Sequence, residues 1–102
     1  MLQSTTDNIS RGRNKRLIAL RNQKIVIRYY YYREIQRRRT DDVFEILSSE
    51  EFFLHEITVR RIIHDNLDYF FELKKEKANE KRLLQIIEEA RQKRYSQASL
   101  FN

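Results

Sequence analysis

His55-Glu56 opens like the zinc-protease signature H-E-x-x-H, in which two histidines one helical turn apart hold the metal and the glutamate acts on its water. Val59 stands where the second histidine must be, and the chain's other histidine, His64, lies nine residues from His55. There is no cysteine to complete a ligand set. Ser48 and Ser49 could supply a nucleophilic hydroxyl, but no base and orienting group accompany them at a recognisable spacing. The acid pairs Asp41-Asp42, Glu50-Glu51 and Glu88-Glu89 suit helix termini or surface charge better than a shared metal. Gly12 stands alone, so no glycine-rich phosphate loop exists. These residues predict no catalytic residue, no metal site and no cofactor.

Binding chemistry is better supported. Residues 11–39 hold eleven Lys/Arg and one acid, Glu34, whereas residues 40–59 hold six acids and no Lys or Arg. The overall charge of +6 hides this division. A block of +10 within 29 residues suits a polyanion, either nucleic-acid phosphates or an anionic membrane surface. Arg28, Arg33, Arg37, Arg38 and Arg39 are the candidate phosphate contacts. The triplet 37–39 precedes a helix start and is placed to hold backbone without reading sequence. Tyr29-Tyr30-Tyr31-Tyr32 lies between Arg28 and Arg33. Four consecutive helical residues advance about 100° each, so one or two of these rings should face solvent, a subunit or a ligand.

Positioning these groups falls to helices. With one glycine and no proline in 102 residues, the chain lacks the usual means of building hairpins and tight turns. No apolar run approaches the roughly 20 residues of a membrane span, and the polar start MLQSTTDNIS carries no signal-peptide core. The expectation is a cytoplasmic, all-α single domain over 13–97, a bundle of about four helices, with tails at 1–12 and 98–102. A long helix should run from near Asn14 to Arg38, with Ile18, Ile25, Tyr29 and Tyr32 in one apolar row and Leu20, Ile27, Tyr31 and Ile35 in another. Thr40 ahead of Asp41-Asp42 signals a second helix, with Thr40 as its cap. Phe52-Phe53-Leu54 predicts a buried corner. A third helix begins near His55–Glu56 and presents Val59, Ile62 and Ile63. A weak break at His64–Asn66 precedes Leu67, Phe70, Phe71 and Leu73, and a last helix follows Asn79 to about Tyr95.

The segment VFEILSSEEFFLHEITVRRIIH, residues 43–64, resembles a helix-turn-helix unit. Leu47 and the small Ser48 fall in its first helix, the apolar corner follows, and T-V-R-R-I-I is similar to a recognition helix. The likeness is to small DNA-binding proteins of phages and mobile elements: transposase-type domains, small terminase subunits and compact transcription regulators. It covers Arg28 to Asn66, with the unit itself at about 40–66. It departs in two ways: the usual turn glycine is absent, with Phe53 near its place, and Ser49-Glu50-Glu51 holds one residue more than usual. The resemblance implies double-stranded DNA as partner and His55, Glu56, Thr58, Arg60, Arg61 and His64 as the groove-facing surface. A homodimer through the long N-terminal or the C-terminal helix would suit a two-fold site. The alternative is a helical assembly protein whose basic helix binds an acidic protein or a membrane surface.

Overall fold

The computed structural model describes the backbone of residues 2–100 and the side chains of residues 15–92. Among the described residues there are five α-helices and no strand: α1 (Leu2–Tyr30), α2 (Thr40–Ile46), α3 (Glu56–Asp65), α4 (Leu67–Glu76) and α5 (Glu80–Leu100). The fifth arises because Asn66 separates α3 from α4. Its Nδ2 donates to the Ile62 carbonyl at 2.7 Å while its own carbonyl accepts from Tyr69 and Phe70 N–H. Helix α1 starts at Leu2 rather than near Asn14 and ends at Tyr30, short of the expected Arg38. The expected tails at 1–12 and 98–102 fall on residues whose side chains lie outside the described set. No helix among the described residues is long and apolar enough to cross a membrane.

Helix α1 is buried on two sides. Ile25, together with the partly buried Tyr29, packs into a cluster with Val43, Phe44 and Leu47 of α2 and its extension and with Val59, Ile62 and Ile63 of α3. Val26, Ile27 and Tyr30 enter a second cluster with Leu73, Ala78 and Leu83, from α4 to α5. Phe70 links the two, its ring 5.5 Å from Tyr29 and 5.9 Å from Tyr30. A helix sandwiched in this way needs apolar residues beyond one stripe, which corrects the two-row expectation. Val26 and Tyr30, outside both rows, are buried, whereas Ile18 and Ile35 are exposed.

The same arrangement shelters all four consecutive tyrosines, none of which is freely exposed. Tyr30 is buried and donates from its hydroxyl to the Ala78 carbonyl at 2.8 Å. Tyr29 stacks on Phe44 at 5.5 Å.

Three helix ends place non-glycine residues at positive φ: Arg37 (56°), Phe53 (54°) and Lys77 (57°). At the end of α4 the Ala78 N–H reaches the Leu73 carbonyl and the Lys77 N–H reaches Lys74, the Schellman arrangement. The other two ends are one residue wider. Both α1 and α2 finish in a π-helical turn, Tyr31–Ile35 and Leu47–Glu51. Arg38 N–H then bonds Tyr32 O, and Leu54 N–H bonds Ser48 O. A π turn accommodates one additional residue within a helix. The second lies where the sequence holds its additional residue, and Phe53 occupies the left-handed position that a turn glycine would take.

Candidate nucleic-acid interface

Helix α2 begins at Thr40, but its N-cap is Arg39, which makes no side-chain cap bond. Thr40 is already inside the first turn and does not cap. The α2–turn–α3 unit is held from within by Val43, Phe44, Leu47, Val59, Ile62 and Ile63. Leu54 and Val59 join the same cluster, occupying the positions of a hydrophobic staple across the start of α3. His55 caps α3, its Nδ1 accepting from Ile57 N–H at 3.2 Å. Glu56 supplies the acidic group favoured in the first turn.

With Val59, Ile62 and Ile63 committed to the core, the opposite face of α3 presents Ile57, Arg61 and His64, all exposed, at spacings of four and three. Exposed His55 precedes this row as the N-cap of α3. Thr58 is half-buried beside it. Glu56 and Arg60 form a 2.7 Å ion pair, and Arg60 lies over the Phe44 ring at 4.2 Å, with Asp41 3.8 Å away. Arg60 is thereby held against α2, whereas Arg61 makes no side-chain hydrogen bond or ion pair among the described residues. His64 lies 3.6 Å from Asp65.

The five arginines assigned to phosphate divide similarly. Arg28 donates to Glu51 at 2.8 Å and to the Tyr32 hydroxyl, and its guanidinium lies 5.0 and 4.9 Å from the Tyr31 and Tyr32 ring centres. The Tyr32 hydroxyl also donates to Glu51. This network ties α1 to the last residue of the π turn before α3. Partial burial pushes the Glu51 carboxyl up, but hydrogen bonds from Arg28 and Tyr32, with the Arg28 and Lys24 charges, outweigh it and hold the group below its ordinary value. Arg28 is thus occupied within the fold. Arg33 donates to the Arg38 carbonyl at 2.7 Å, and Arg38 bonds Gln36 while lying over Tyr32. Arg37 and Arg39 are exposed and make no side-chain hydrogen bond or ion pair among the described residues.

Two groups were missed by the sequence reading. Phe53, expected in a buried corner, is 78% exposed, because the left-handed backbone at that residue turns it out while Phe52 and Leu54 pack inward. Ile57 is 60% exposed in the first turn of α3. Its signal was available in the 57–61–64 spacing opposite 59–62–63.

The left-handed backbone at Phe53 costs about 1–2 kcal/mol, and the exposed ring recovers little of it by packing. Phe53→Gly is therefore expected to raise stability by about 0.5–1 kcal/mol after allowing for glycine's greater freedom when unfolded. A urea-unfolding midpoint that rises at unchanged slope checks this.

Among the described residues no group of three or more His, Asp or Glu could hold a metal. No protein-family model matches the chain, and neither does any curated protein or solved structure.

Proposed function

We propose that this protein binds double-stranded DNA as a helix-turn-helix protein, with α3 entering the major groove, and serves as a transcription regulator or as the DNA-recognition component of a phage or mobile element. The observation that carries this reading is the division of α3 into a core face, Val59, Ile62 and Ile63, and an exposed row, Ile57, Arg61 and His64. A helix anchored through three apolar residues to a preceding helix, with arginine facing out, suits insertion into a groove about 12 Å wide.

Arg37 and Arg39 support it. They make no ion pair among the described residues and stand at the entry to α2, whose first turn lies beside α3 through the Asp41–Arg60 contact. Arg60, between Asp41 and Glu56, offsets acidic charge that would otherwise repel phosphates at the edge of this face. The role is recognition rather than catalysis, exercised in the cytoplasm on nucleoid DNA. Two copies pairing through α1, where Leu17 and Ile18 are exposed, or through α5 would place two recognition helices on a two-fold site.

The test is a mobility-shift titration of a mixed-sequence duplex at increasing salt, beside sedimentation with anionic lipid vesicles. Duplex binding that weakens steeply with salt is expected, each phosphate contact contributing about −0.9 to the log–log slope. Absence of any shift at low salt overturns the reading, and binding to vesicles alone transfers it to a membrane surface.

A further inference from the structure

Phe53 and Ile57 are large apolar side chains exposed where the fold gains nothing from exposing them. Glycine would adopt the backbone conformation of Phe53 at lower cost and would remove an aromatic ring from water. Ile57 occupies an exposed position in a first helical turn, where an unbranched or polar residue would suit the helix better. Phe53 lies in the turn that leads into α3 and Ile57 in the first turn of α3, the end that leads a recognition helix into its groove. The core contacts of the unit are already made by their neighbours Phe52, Leu54 and Val59.

We propose that Phe53 and Ile57 form an apolar tip that recognises the 5-methyl group of thymine in the major groove, a specificity that rests on the DNA-binding reading above. The thymine methyl is the one apolar feature a base pair presents in that groove, and aliphatic and aromatic side chains are its natural contacts. The surroundings fit a duplex better than a protein partner. The apolar part of the face is two side chains, far short of the roughly 800 Å² that a stable protein interface buries on each side. Arg61 follows Ile57 by one turn, and His64 follows Arg61 by another. A rise of about 6 Å separates Ile57 from Arg61 along the helix axis. Base pairs stack about 3.4 Å apart, so the two side chains address pairs roughly two steps apart. The site read would therefore combine a thymine with a nearby guanine, the base whose O6 and N7 suit arginine.

The experiment uses the full chain and a pool of random-sequence duplexes. The best-bound duplex is selected at low salt and resynthesised with uracil in place of thymine, which removes only the methyl groups. The wild-type protein is expected to bind the uracil duplex about four- to fifteenfold more weakly, the range for one or two lost methyl contacts. Phe53→Gly and Ile57→Ala should each reduce that difference, and the double variant should bind both duplexes equally. Thermal unfolding of each variant separates lost recognition from lost fold, and Phe53→Gly is expected to unfold at a higher temperature than wild type. Equal binding of the two duplexes by wild type, or a preferred site without thymine, overturns this inference while salt-dependent binding leaves the DNA reading standing. Discrimination that persists in the double variant removes the assignment to these residues. No binding to any duplex overturns both.

Discussion

Arg61→Ala is expected to weaken binding to the preferred duplex by about tenfold to a hundredfold while changing binding to unrelated duplexes little, the signature of a lost bidentate contact to a base. The expectation depends on the different positions of Arg60 and Arg61. Arg60 is engaged by Glu56 and Phe44, with Asp41 nearby, whereas Arg61 is exposed on the outer face of α3 and makes no ion pair among the described residues. Arg60→Ala should have the smaller effect on sequence preference. Arg37→Ala with Arg39→Ala should behave differently again. Two lost phosphate contacts weaken binding to all sequences alike and make the salt slope shallower by about 2. Titrating the three variants against the preferred and a scrambled duplex at four salt concentrations resolves the roles. A specific loss from Arg37 and Arg39, or a uniform loss from Arg61, would reverse the assignment of base and backbone contacts.

Leu47→Ala should lower the unfolding free energy by about 2–5 kcal/mol, through lost burial and the cavity it leaves. Leu47 is fully buried at the point where α2 passes into its π turn, and it shares its cluster with residues of α1, α2 and α3. Single domains are commonly stable by only about 5–15 kcal/mol, so the variant would lose a large part of its margin. Leu84, 61% exposed on α5, supplies the control. Leu84→Ala should shift stability by no more than about 0.5 kcal/mol. Chemical unfolding followed by circular dichroism compares the two. Near-equal effects would mean that Leu47 does not anchor the unit.

Much of the architecture was legible because its determinants are local. Scarcity of glycine and proline indicated helices, Thr40-Asp41-Asp42 marked the start of α2, and Asn79 marked α5, where its Oδ1 accepts from Arg82 N–H. Periodicity placed Val59, Ile62 and Ile63 on one face, and all three are buried. Tertiary partnership was not legible. The roles of Val26 and Tyr30 depend on a second cluster formed by residues more than forty positions away. The arginines looked equivalent in sequence, yet Glu51 holds Arg28 and Glu56 holds Arg60, while Arg37, Arg39 and Arg61 make no ion pair among the described residues. Glycine was the expected marker of a left-handed turn, so its absence hid three such positions, occupied by Arg37, Phe53 and Lys77. An apolar run of three likewise concealed one residue that turns outward.

The two-sided burial of α1 has a consequence for how the chain is made. Synthesis proceeds from the N-terminus, so α1 leaves the ribosome before any helix that will cover it. Ile25 must wait for partners between Val43 and Ile63, and Val26, Ile27 and Tyr30 for partners as late as Leu83. During that interval the nascent helix displays apolar surface on both flanks, the condition under which incomplete chains associate with one another or engage chaperones. The run of arginines and lysines preceding and surrounding these residues keeps such emerging chains mutually repulsive until the remaining helices arrive.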